Sequence, residues 1–147
     1  MTAISKTILV VDDRSNWREL LKAVFASSEG GYIVQTADSL AEAMGMLDKY
    51  DFGLVITNLG LEPVRGSFDR SGLRVVDKLQ QLAPGTPCIV LTAFDETIRG
   101  QVENYCARYN APIWVVWKWG STVYRDLKDK VRLVFEESSE DLLSASI

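Results

Sequence analysis

The chain contains no histidine. That absence excludes a histidine general base, a histidine metal ligand and a phosphohistidine carrier within it. Cysteine is scarce: Cys88 falls in a strand pattern and Cys106 in a helix pattern. Both read as buried free thiols of a reducing compartment, so a cytoplasmic location is expected. Positive charge is not in excess, since 16 Lys and Arg face 20 Asp and Glu for a net charge of −4. The electrostatic case for nucleic-acid binding therefore fails. No apolar run approaches the roughly 20 residues of a transmembrane helix, so no membrane partner is expected. Residues Met1 to Lys6 lack a secretory apolar region, because the run that follows is only Ile8 to Val11. What remains is a chain of 147 residues, 47% hydrophobic and 24% charged. These are the proportions of one soluble globular domain with a real core.

Short apolar runs alternate with amphipathic stretches. Strands are expected over Lys6 to Val11, Tyr32 to Thr36, Leu54 to Asn58, Cys88 to Thr92 and Ile113 to Trp117. The first helix spans Arg14 to Ser27, with Trp17, Leu20, Leu21, Val24 and Phe25 inward and Gly30-Gly31 ending it. The second is capped by Asp38 or Ser39 and buries Leu40, Ala43, Met44 and Leu47. The third runs from Gly72 to Leu82 with Leu73, Val76 and Leu79 inward, and Pro84-Gly85 turns the chain after it. The fourth starts near Asp95 and buries Ile98, Val102 and Cys106, with Tyr105 a further candidate. Ser121 or Thr122 caps the fifth, which buries Val123, Leu127, Val131 and Val134. Five strands alternating with five helices predict an α/β fold: a doubly wound parallel sheet with helices on both faces. Its strand order is expected to be 2-1-3-4-5, the flavodoxin-like arrangement. Residues 1–137 form the expected domain and 138–147 a serine-rich tail with the apolar pair Leu142-Leu143. No output domain is expected after the fifth helix.

Leu54-Val55-Ile56-Thr57-Asn58-Leu59 is the organising stretch, a buried strand that delivers Asn58 to its carboxyl end. In open parallel sheets chemistry sits at that edge. Asp12 and Asp13 end the first strand, Thr92 the fourth, and Lys118 follows the fifth. Adjacent carboxylates in a crevice repel unless a hard divalent cation or Lys118 compensates them. The plainer alternative makes Asp13 an N-cap, leaves Asp12 half-solvated and sends Lys118 out to solvent. Leu59 to Ser71 is the least regular stretch, with Glu62, Pro63, Arg65, Asp69 and Arg70. It is expected to be the mobile or ligand-dependent part of the chain, its two arginines lending positive charge over the acidic residues.

Paired Asp12-Asp13, the Leu-Val-Ile-Thr-x-Leu segment, Leu91-Thr92-Ala93 and Lys118 together resemble the receiver domain of bacterial response regulators, over about residues 6–135. The resemblance implies two-component phosphorelay signalling and no enzyme. It implies that Asn58 matches the aspartate that takes a phosphoryl group from a histidine kinase. It further implies magnesium held by Asp12, Asp13, the position of Asn58 and the backbone carbonyl of Gly60. Thr92 then matches the switch hydroxyl and Lys118 the phosphate-contacting lysine. Four departures stand out: Asn58 itself, a longer loop from Leu59 to Ser71, Val115 where an aromatic switch residue is common, and Trp119 in place of proline. A trans Lys118-Trp119 bond is expected, since cis costs roughly 2.5–4 kcal/mol more.

An amide oxygen is a far poorer nucleophile than a carboxylate. As written, the chain is expected to accept no phosphoryl group and to bind magnesium weakly. Asn58 is either a natural divergence or a replaced aspartate; in the latter case a histidine kinase or phosphotransfer protein is the expected partner. The rival is a phosphorylation-independent interaction domain. Trp114 and Trp117 face opposite sides of the sheet, either packed in the core or forming a partner surface. Receiver-like domains often dimerise on the strand 5 face, so a protein partner or a homodimer is expected there. A flavin binder lacks a Ser/Thr/Gly-rich phosphate loop, because Asp13-Arg14-Ser15-Asn16 stands in its place. A phosphatase would need Asp12 or Asp13 as nucleophile.

Overall fold

A computed structural model describes residues 6–26, 31–61, 69–93 and 96–135. Among these residues ten elements alternate: β1 (Thr7–Val11), α1 (Ser15–Ala26), β2 (Ile33–Ala37), α2 (Leu40–Lys49), β3 (Leu54–Asn58), α3 (Gly72–Leu82), β4 (Cys88–Thr92), α4 (Glu96–Cys106), β5 (Ile113–Trp117) and α5 (Val123–Phe135). All strand pairs are parallel, in the order β2-β1-β3-β4-β5. The central strands are mainly apolar, with polar residues at their ends, because helices cover both faces. On one face Leu9, Val11, Val55, Cys88 and Val90 pack under α2, α3 and α4. On the other Ile8, Val10, Leu54, Ile56 and Ile89 pack under α1 and α5.

Local signals explain most boundaries. Gly31 takes φ +64°, which any side chain would resist, and lets the chain enter β2. Ser39 caps α2 by accepting the Glu42 N–H at 3.1 Å. Gly72 opens α3 in contact with the end of β3: its N–H bonds Leu59 O at 2.7 Å. A Cβ there would lie 2.0 Å from the Asn58 carbonyl oxygen, so only glycine fits.

One expectation about the core is corrected, and one pair of alternatives is decided. Leu20 is exposed, because α1 turns only Trp17, Leu21 and Phe25 inward. Trp117 is 49% exposed, because β5 is an edge strand whose outer face only α4 and α5 flank, whereas Trp114 is half-buried against the α1 and α5 face. Cys88 and Cys106 are free and buried, and burial pushes Cys106 up to about 11. The expectations for Gly30, Glu62, Arg65, Asp95 and the tail of residues 138–147 lie outside the described residues. Among the described residues no helix is long and apolar enough to cross a membrane.

Candidate functional site

Parallel register brings the polar strand ends to one edge. Val11 pairs with Thr57, Asn58 with Leu91 and Thr92 with Trp117. Asp12, Asn58 and Lys118 therefore leave the sheet together. Three ladder bonds extend past the strands and hold their backbones: Asp12 N–H to Ala37 O at 3.1 Å, Leu59 N–H to Leu91 O at 2.8 Å and Lys118 N–H to Thr92 O at 2.8 Å.

Asp12 is fully buried, not half-solvated, because each of its oxygens has a donor. Lys118 Nζ donates to Oδ2 at 2.8 Å and the Arg14 N–H to Oδ1 at 2.9 Å. Arg18 Nη1 also donates to the Asp12 carbonyl at 2.8 Å. Burial pushes the Asp12 carboxyl above its ordinary 3.8; the bond and charge of Lys118 and the Arg14 N–H pull it down, and neighbouring Asp13 pushes it up. Lys118 does not reach solvent. Its side chain is 3% exposed, with the ammonium on Asp12 and 4.8 Å from the Trp17 ring. Trp17 in turn meets Trp119 edge-on at 5.9 Å and stacks with Tyr124 at 6.1 Å.

Asp13 is exposed and faces a pocket of about 280 Å³. Arg14, Asn58, Gly60, Lys118 and the half-exposed Trp119 share its wall. Asn58 turns its carboxamide onto its own loop: Nδ2 donates to Gly60 O at 2.7 Å. Thr92 ends β4 at the same edge, yet its side chain is fully buried and forms no part of the pocket wall. The entry to α1 is bonded by Asp12, not Asp13. Arg70 is not among the residues that line this pocket; its guanidinium donates to Gln101 Oε1 on α4. All peptide bonds among the described residues are trans, including Lys118–Trp119.

Magnesium prefers carboxylate oxygens and water in octahedral order. The donors do not fit it as they stand. Both Asp12 oxygens are engaged by protein donors, the Gly60 carbonyl is held by Asn58, and Asn58 carries no charge. Among the described residues no group of three or more Asp, Glu, Cys or His side chains is arranged to hold a metal.

Sequence reasoning missed Trp17, Arg14 and Arg18. Trp17 looked like one more inward residue of α1. The available signal was its place on the first turn, directly after the paired aspartates.

A family model described as the response regulator receiver domain matches residues 8–106. The transcriptional regulatory protein GlrR of Escherichia coli is 34% identical over 86 residues, 58% of this chain and 18% of the relative. The chain thus spans less than a fifth of that curated protein. The response regulator protein TrrA from Thermotoga maritima, crystallised in complex with Mg(2+)-BeF, is 30% identical with a TM-score of 0.67, over 87% of this chain and 97% of that one. A CheY-like receiver domain protein from Methanospirillum hungatei JF-1 has a TM-score of 0.71 over 93% of this chain and 98% of that one. At 23% identity that likeness is one of fold alone.

Proposed function

The chain belongs to the response regulator receiver domain family, and on that premise we propose that it is a two-component receiver module whose acceptor position is Asn58. In this reading it is a binding and signalling module of a reducing compartment, the cytoplasm, and not an enzyme. It takes no phosphoryl group as written, because a neutral amide cannot form the acyl phosphate. Lys118 and Thr92 are the family's phosphate-side groups, and Asp12, Asp13 and Gly60 its metal-side groups. The observation that carries the reading is the Asn58 carboxamide bonded to Gly60 O inside the pocket shared with Asp13 and Lys118. That bond engages the carbonyl a metal would need, so magnesium binding is weak. A histidine kinase or phosphotransfer protein is the donor for a form with aspartate at position 58.

The test is mass spectrometry after incubation with acetyl phosphate and magnesium. One added phosphoryl group is expected on Asn58→Asp and none on the parent chain. Addition to the parent would overturn the acceptor assignment. No addition to either form would turn the reading to a phosphorylation-independent interaction domain.

One observation favours that second reading. Trp117 stands half-exposed in a cavity of about 590 Å³ between α4, β5 and α5, with Arg99, Glu103, Asp126 and Lys130 around it. An exposed indole ringed by charge is the composition of a protein-binding anchor, and the strand 5 face is the proposed docking surface for a protein partner or a second copy. Binding there that is indifferent to magnesium and beryllofluoride would favour it.

A further inference from the structure

The second edge of the sheet carries a different signal. Among the described residues β2 is hydrogen-bonded on one side only, to β1. Its odd-numbered residues serve that ladder: Ile33 N–H bonds Lys6 O at 3.0 Å and Ala37 O accepts Asp12 N–H at 3.1 Å. By strand alternation Val34 and Thr36 turn their N–H and C=O groups outward. Between them, Gln35 points toward α2. Its Oε1 is shielded from solvent and, among the described residues, is the single buried side-chain polar atom with no hydrogen-bond partner. Such groups are rare because an unmet buried acceptor is costly.

Gln35 opens into a groove of about 530 Å³ between β2 and α2. Glu42, Gly45, Met46, Lys49 and Tyr50 line it, one stripe along the helix. No atom lies within 4 Å of where a Gly45 Cβ would be, so the middle of the stripe is open. Ile33 is 59% exposed and Tyr50 is 52% exposed at the same edge. An open, partly apolar strand edge is a template for another strand.

We propose that β2 pairs with β2 of a second copy of this chain, antiparallel, about a two-fold axis through Gln35. The spacing is self-complementary. Val34 faces the partner's Thr36 and Thr36 the partner's Val34, which closes four backbone hydrogen bonds. Gln35 then lies directly across from its own copy, at the non-hydrogen-bonded position where side chains approach most closely. A turn of each Gln35 side chain brings its Oε1 out of the shielded position, and the facing Nε2 then supplies the donor it lacks. The charges agree as well. α2 runs from Glu42 in its first turn to Lys49 in its last. The two-fold axis therefore sets Glu42 of one copy against the partner's Lys49, and the reverse. The open space at Gly45 lets the two α2 helices approach. This surface lies across the sheet from the β5 face and does not depend on position 58.

Sedimentation equilibrium of the full chain tests it. A dimer is expected. Thr36→Pro removes an outward donor and leaves the ladder to β1 intact, and it should weaken the dimer roughly tenfold or more. Glu42→Lys and Lys49→Glu should each weaken it roughly tenfold, and the double reversal should restore it. Both charged positions are exposed, so circular dichroism should show these variants folded. Trp117→Ala, on the β5 face, should leave the dimer unchanged. A chain that stays monomeric at its highest soluble concentration overturns the proposal. So does a dimer that ignores the charge reversals, or one lost with Trp117→Ala.

Discussion

Two aspartates in this chain are held in opposite ways. Asp12, at the carboxyl edge of the sheet, is fully buried against an ammonium, Lys118, at 2.8 Å. Asp77, on α3, is half-buried and held by two neutral phenols from α4 and the turn after it. Tyr105 OH donates to both its oxygens, at 2.9 and 2.6 Å, and Tyr109 OH donates to Oδ1. The phenols tie α4 to α3, and neither lines the pocket shared by Asp13, Asn58 and Lys118, so this is an arrangement for packing. The ion pair stands behind a pocket wall and brings together residues 106 positions apart. A buried ion pair is weak evidence of stability, since desolvation offsets most of the attraction. A neutral clamp would have held the strands at less cost. The charge at Asp12 is therefore better explained by the chemistry of the edge than by folding.

Breaking the ion pair gives the largest expected effect. Lys118→Met leaves a buried carboxylate without its cation, which should destabilise the fold by about 3–5 kcal/mol in urea unfolding at neutral pH. The sign with pH follows from the direction of the Asp12 shift. A carboxyl whose folded pKa is raised contributes stability below the ordinary 3.8 that is lost as pH rises through the raised value. Without Lys118 that value rises further, so the deficit should shrink in acid. A deficit independent of pH would mean that lost packing against Trp17, not charge, sets the cost.

The clamp should be cheaper to break. Asp77→Asn should cost about 1–2 kcal/mol, because water reaches the half-buried phenols and replaces part of the bonding. A cost equal to that of Lys118→Met would erase the contrast between the two sites.

The smallest effect is spectroscopic. The Asp77 hydrogen bond, followed by burial and the negative charge of Asp77, pushes Tyr109 up to about 12, and burial followed by the Asp77 bond raises Tyr105. A folded-state pKa raised above the ordinary 10.0 contributes stability that is full below pH 10 and lost as pH rises toward the folded value. Ultraviolet titration should show late ionisation of these tyrosines, and Asp77→Asn should move it back toward the ordinary value. Unchanged titration would show that burial alone, not the carboxylate, raises them.

The strand ends explain how much was legible beforehand. Leu54 to Asn58, Cys88 to Thr92 and Ile113 to Trp117 stood out because parallel strands flanked by helices on both faces are continuous apolar runs with abrupt polar ends. The polar ends then named Asp12, Asn58, Thr92 and Lys118 together. The face of α1 was legible only in part. Helical periodicity marks a stripe but not its width, so Leu20 was placed inside when it lies out. The role of Trp17 was not legible, because an indole against a lysine and an indole in a core have the same local sequence.

Local order determined the elements, their sequence along the chain and the edge at which the chemistry gathers, since these depend on periodicity and on the rule that parallel strands need crossovers. The tertiary structure alone decided which oxygen meets which donor. Only when strands far apart in the chain came together did Lys118 fall to Asp12 rather than to solvent, and Asn58 to Gly60. It also left Gln35 without a donor. Those pairings are set by distances of about 3 Å between residues whose separation along the chain carries no such information.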